Sequence, residues 1–182
     1  MPDVIGPFDE SFRVWCYLEW VKNSHIHPIE FEKVDIVRNL SFVGRDDVNR
    51  TIINLILNPE KTQSLMNTEY NLAFDEIITL KEFVDVLFLV LAKKNCDLLP
   101  KGYFYYISED WAKTYLPSVT FGPISNAKAK KSGLFKQQKN LIEYLRDIVN
   151  FFEDEGKKFE HEFLEMIREL PKELRKVYPN SL

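Results

Sequence analysis

Two of the chain's three histidines, His25 and His27, stand in the stretch Ser24-His25-Ile26-His27-Pro28-Ile29-Glu30-Phe31-Glu32. Imidazoles and carboxylates this close together are donor types that a zinc ion takes. Two residues apart, the rings share a face on a strand and diverge on a helix, so neither arrangement gives the i, i+4 pair of a helical zinc site. A metal centre would need His161 and Glu30 or Glu32 to converge on the pair through tertiary contact. A simpler reading is a helix start: Pro28 suits the first helical position, and Glu30 and Glu32 fall where the helix dipole favours negative charge. No metal ligands and no cofactor are assigned on this basis.

Other catalytic spacings are sparse. Ser125-Asn126-Ala127-Lys128 fits S-x-x-K, but neither S-D-N nor K-T-G accompanies it, and it lies in a basic stretch rather than at a helix start. The sequence holds no G-x-S-x-G, Walker A, Rossmann G-x-G-x-x-G, H-E-x-x-H or EF-hand loop. Cys16 and Cys96 stand far apart without CxxC spacing, and Trp15-Cys16-Tyr17 reads as core, so both are expected as free thiols in a reducing compartment. No catalytic residue is assigned, and the chain reads as a non-enzyme.

Charge offers two surfaces. The net charge is −4, yet residues 101–140 carry seven basic against two acidic groups. Lys128, Lys130, Lys131, Lys136 and Lys139, with aromatics from Tyr103 to Phe121 nearby, are the types that neutralise phosphates and stack on bases. The acidic overall balance and the lack of any arginine in this island count against nucleic acid. Acidic pairs at Asp46-Asp47, Glu153-Asp154 and Glu160 with Glu162, together with Tyr105 and Trp111, form the alternative surface, one suited to a protein partner with a basic face.

These groups must be placed by the elements around them. At 182 residues, with 45% hydrophobic and 14% aromatic content, the chain can bury a large core without staples. Asp9 is positioned to cap a helix through Phe12–Val21. Pro28 to about Leu40 is expected as helix, although Ile29, Phe31, Val34 and Ile36 also allow a strand. Val48, Ile52, Leu55 and Ile56 form a helical stripe after Gly44-Arg45-Asp46-Asp47. Thr79-Leu80-Lys81-Glu82 is a capping box before an apolar run to Ala92, within which Asp85 needs a partner or a water-facing position. Lys101–Ile107 has strand composition, Ser108–Tyr115 reads as a short helix, and residues 125–133 read as an exposed basic loop. Leu141, Leu145, Ile148 and Phe152 step at helical spacing, and the rhythm resumes from Phe159 to Leu170 across Gly156, giving one long helical segment over about 134–170. The N-terminus lacks the features of a signal peptide, and the longest apolar run is too short to span a membrane.

The expectation is a mainly α protein: one helical-bundle domain over 1–182, with a small β element near 103–107. Its profile is that of a cytoplasmic interaction protein, a type that includes bacterial immunity proteins and antitoxins, neutralising a partner through Asp46, Asp47, Glu153, Asp154, Glu160, Glu162, Tyr105 and Trp111. Nucleic-acid binding through the lysines is the alternative, and a metal-dependent hydrolase the third reading.

Overall fold

Thr79 and Glu82 satisfy each other's backbone: Glu82 Oε2 accepts from the Thr79 amide at 2.7 Å, and Thr79 Oγ1 accepts from the Glu82 amide at 3.2 Å. This capping box opens α4 in the computed structural model of the chain, which describes residues 2–7, 9, 11–94, 102–110, 112–155, 167–168 and 170–178. The elements run β1 (Asp3–Ile5), α1 (Arg13–Lys22), β2 (Ile29–Glu32), β3 (Asn39–Leu40), β4 (Phe42–Gly44), α2 (Arg45–Leu57), α3 (Pro59–Thr62), β5 (Ile78–Thr79), α4 (Leu80–Lys94), β6 (Tyr105–Ser108), α5 (Ser118–Phe121), α6 (Ala127–Lys131) and α7 (Leu141–Asp154). A short helix, Lys172–Arg175, follows.

The strands pair in twos. β1 runs parallel to β4, β2 runs parallel to β6, and β3 lies antiparallel to β5. Helices α1, α4 and α7 pack on one another around Tyr17, Trp20, Phe83, Leu87, Leu91, Leu145 and Ile148, all buried in one cluster with Phe31 of β2 and Phe42 of β4. Tyr17 meets Phe83 and Tyr115 edge-on at 5.8 and 5.3 Å, while Phe42 stacks on Phe83 at 5.3 Å. These are favourable ring geometries: Tyr17–Phe83 joins α1 to α4, and Phe42–Phe83 joins β4 to α4.

The helical-bundle expectation is corrected by the two parallel ladders, which make the fold α/β. The decisive segment is Ile29–Glu32. Ile29 and Phe31 are buried while Glu30 and Glu32 are only partly so, a period of two. Pro28 and the two glutamates are compatible with a helix start, but a ladder to Tyr105–Ser108 outweighs those local cues. Residues 33–37 form turns, so the helix expected to Leu40 is absent.

Smaller differences have equally local causes. Asp9 accepts from the amide and hydroxyl of Ser11 and caps nothing in α1, which begins after Phe12 in a left-handed conformation. Ser108–Tyr115 holds no helix among its described residues, and the expected basic loop folds in part as α6 because Ala129 is buried against Val43 and Phe135. Asp85 has partners: Lys81 Nζ and Tyr103 Oη each donate to its Oδ1 at 2.6 Å. The continuation of α7 through Gly156 lies outside the described residues.

Candidate functional site

In open α/β sheets, ligands bind in the crevice beyond the carboxyl ends of parallel strands. β1 and β4 end side by side at Ile5 and Gly44. The chain leaves β1 through Gly6 and Pro7, and it leaves β4 directly into α2. Arg45 joins the two exits, its guanidinium donating to the Pro7 carbonyl and to Asp46 Oδ1.

The floor of this crevice is set by Tyr144. Asn140 and Glu143 form a second capping box that fixes the start of α7 and thereby places Tyr144 against Gly44. Asp47, fully buried, accepts from Arg50 Nη1 at 2.8 Å and from the Gln138 amide at 3.5 Å. Burial, reinforced by the Asp47 and Asp46 carboxylates, pushes the Tyr144 phenol up to about 12. Lys139 Nζ lies 5.8 Å from the Tyr144 ring centroid and donates to Asp147 Oδ2 at 2.6 Å, a bond that raises its pKa.

Beside this floor opens a cleft of about 330 Å³ lined by Asp75, Glu76, Gln137, Gln138, Lys139, Asn140 and Glu143. Gln137 Nε2 donates to Glu76 Oε2 at 2.8 Å, and the Leu141 amide to Glu76 Oε1 at 3.3 Å. Asp75 accepts from Asn126 Nδ2 at 2.8 Å and from Lys130 Nζ at 2.7 Å; these two bonds, Asn126 first, hold its carboxyl below the usual range. Three carboxylates and three amides face one lysine. Such a rim offers acceptors to hydroxyl donors, and Asp46 and Asp47 already occupy the first turn of α2 where an anion would otherwise be favoured.

Two other cavities differ in chemistry. One of about 520 Å³ lies near the far end of α2, between Asn54, Asn58, Thr62 and Ser132, and is polar but uncharged. The other, about 330 Å³, lies between α4 and α7, with Leu89 and Ile142 apolar and Lys93 and Arg146 basic.

The residues singled out from sequence are dispersed. Asp46 and Asp47 sit at the crevice, paired to Arg45 and Arg50. Glu153 bonds Lys22, Asp154 bonds Lys94, and Tyr105 lies on exposed β6. Trp111, Glu160 and Glu162 lie outside the described residues. Lys128 donates to the Glu69 carbonyl, Lys130 pairs with Asp75 and Lys139 with Asp147, while Lys131 and Lys136 are exposed. His25 is exposed, His27 lies 3.7 Å from Glu173, and His161 is outside the described residues. Among the described residues no group of three or more His, Cys, Asp or Glu could hold a metal ion. Tyr144 and Gln137 were not singled out from sequence, and Gly44 was read only as part of the turn before Asp46-Asp47.

No family model matches the sequence, and no curated protein matches it. Solved structures do. The PbgP3 protein from Burkholderia pseudomallei matches 86% of this chain at TM-score 0.58 and 13% identity. UDP-glucose 4-epimerase from Thermotoga maritima, solved with UDP-glucose, matches 83% at TM-score 0.53 and 19% identity. RMD from Pseudomonas aeruginosa, solved with NADPH, matches 83% at TM-score 0.50 and 17% identity. The chain shares the α/β fold of these structures.

This likeness overturns the helical bundle a second time. It also corrects the non-enzymatic reading, with its immunity, antitoxin and inhibitor character, because structures sharing this fold include an epimerase with its sugar nucleotide and a complex with NADPH. The chain spans only 43–45% of the length of these structures.

A dinucleotide is implied by the NADPH complex, and the residues at the β1–β4 exits do not fit one. A diphosphate is cradled by a glycine-rich turn opening a helix. Here β1 is followed by Gly6-Pro7, α1 begins at Arg13 after a left-handed Phe12, and α2 carries two aspartates in its first turn. No step is derived through that group. Among the described residues no helix is long and apolar enough to cross a membrane.

Proposed function

We propose that this chain is the sugar-nucleotide-recognising part of an enzyme of the epimerase or dehydratase type, its acidic, amide-lined cleft receiving the sugar. The observation that carries the reading is the match of 83% of the chain to less than half of an epimerase solved with UDP-glucose. The cleft chemistry supports it. Carboxylates of Asp75, Glu76 and Glu143 can accept from vicinal hydroxyls, and the amides of Gln137, Gln138 and Asn140 can both accept from and donate to them.

Titration calorimetry tests it. UDP-glucose is expected to bind saturably and more tightly than UDP alone, and Glu76→Ala to weaken it at least tenfold, one hydrogen bond to a charged group being worth roughly 1.5–3 kcal/mol. Binding of NADPH with no response to UDP-glucose would overturn the proposal.

A further inference from the structure

The groove between α4 and α7 shares no lining residue with the acidic cleft, and its chemistry is the reverse. Val86, Leu89 and Val90 of α4 and Ile142 of α7 form its apolar part, with Leu89 57% and Ile142 48% exposed. On α4 the positions 86, 89, 90 and 93 share one helical face, so the aliphatic stripe runs directly into Lys93. On α7, Ile142, Arg146 and Asn150 step by four with the same change of character. Lys94 closes this end, its Nζ donating to Asn150 Oδ1 at 3.2 Å and to Asp154 Oδ2 at 2.7 Å. The groove therefore has an aliphatic end and a cationic end, ~10 Å apart from Val86 to Lys93 at the rise of a helix.

Two of its cations have no internal use. Lys94 is held by Asp154, but among the described residues neither Lys93 nor Arg146 makes an ion pair or a side-chain hydrogen bond, and no carboxylate lines the groove. Lys93 stands in the last turn of α4, where the helix dipole favours a cation. Arg146 stands in the second turn of α7, where the dipole offers a cation nothing. An apolar cleft with a few convergent polar groups is the usual form of a small-molecule site, and a volume of about 330 Å³ falls at the small end of that class.

We propose that this groove binds an aliphatic carboxylate, its chain along Val86, Leu89, Val90 and Ile142 and its head on Lys93 and Arg146. A guanidinium takes a carboxylate through two parallel hydrogen bonds, and the ammonium adds a point charge beside it. A protein partner fits less well: eight described residues line the groove, against roughly 20–30 a side at a stable interface. The site is independent of the sugar-nucleotide reading, which uses other residues.

A titration of the isotope-labelled full chain with decanoate, kept below its micellar concentration, tests the proposal by NMR. Saturable shifts are expected at Leu89, Val90, Ile142 and Arg146, and none of that kind from acetate, which lacks the chain, or from decyltrimethylammonium, which carries the opposite charge. Lys93→Ala combined with Arg146→Ala is expected to weaken decanoate at least about fivefold, the scale of two partly exposed ion pairs. Leu89→Glu is expected to abolish binding; all three side chains are exposed, so the circular dichroism spectrum should not change. No saturable shifts, equal affinity for decanol, an unaffected double variant, or equal shifts at the exposed Ile52 and Ile56 of α2 would each overturn the proposal. UDP-glucose binding, measured on the same variants, is expected to be unchanged, so failure here and failure of the sugar-nucleotide reading are told apart.

Discussion

The Tyr144 ring occupies the space that any side chain at Gly44 would need: a Cβ built there would stand 2.0 Å from Tyr144 Cζ. Gly44 has φ −74°, a conformation open to every residue, so it is the approach of the ring that excludes a larger residue. This contact ties the exit of β4 to the first turn of α7 and sets the floor of the candidate site.

Gly44→Ala is therefore expected to destabilise the fold by ~1–3 kcal/mol, the usual cost of overpacking. Urea unfolding measures it. Combined with Tyr144→Ala, the same change is expected to cost less than the sum of the two single changes, because the clash is gone. Strict additivity would show that the ring and the glycine do not act together.

Lys22 bridges two carboxylates, donating to Glu19 Oε1 and to Glu153 Oε1 at 2.9 Å, while Tyr178 Oη donates to Glu19 Oε2. Burial alone would lower the Lys22 pKa, but Glu19 and then Glu153 outweigh it and the net direction is up. Glu19 is buried, so Lys22→Met leaves its charge without a cation and is expected to cost roughly 3 kcal/mol. Adding Glu19→Gln should recover part of the loss in chemical denaturation; no recovery would place the cost in packing of the lysine stem.

Alkaline pH tests the buried phenols. Burial is the first cause that holds both Tyr17 and Tyr144 up at about 12 from an ordinary 10. Above pH 10 the unfolded chain releases these protons before the folded chain does, so the stability they confer is complete below pH 10 and is lost as pH rises toward 12. Phenolate absorbance should show Tyr17 and Tyr144 among the late-titrating tyrosines, with Tyr103 and Tyr178, also held up, titrating later still, and Tyr144→Phe should flatten part of the decline in stability. An unchanged profile in that variant would contradict the burial assigned to Tyr144.

Tyr103 and Lys81 share one oxygen of Asp85, and the Lys81 ammonium lies over the Tyr103 and Tyr105 rings at 5.2 and 4.9 Å. Tyr103→Phe keeps the ring and the ammonium contact while removing one hydrogen bond, so a loss of about 1 kcal/mol is expected by thermal unfolding. A loss several times larger would mean that the phenol supports more than Asp85.

What the sequence discloses depends on how far each element's determinants lie along the chain. Helix α4 was legible because Thr79 and Glu82 stand three residues apart, and α7 because Leu141, Leu145, Ile148 and Phe152 repeat within one element. Ile29–Glu32 was misread because its ladder partner begins at Tyr105, far along the chain, while Pro28 and two glutamates imitate a helix start nearby. β1 and β4, three residues each, are too short to carry a period, so the parallel pair that defines the site left no local trace. The likeness to these α/β structures was hidden for a related reason: the glycine fingerprint that marks a dinucleotide site does not occur in this sequence.

The most direct test of the sugar-nucleotide reading is an NMR titration of the isotope-labelled chain with UDP-glucose and, separately, with NADPH. UDP-glucose is expected to shift the amide resonances of Gln137, Gln138, Lys139 and Asn140 and to leave those of β6 unmoved, while NADPH shifts neither set. Shifts from NADPH at Gly6 and Arg45, or UDP-glucose shifts confined to residues away from the cleft, would contradict it.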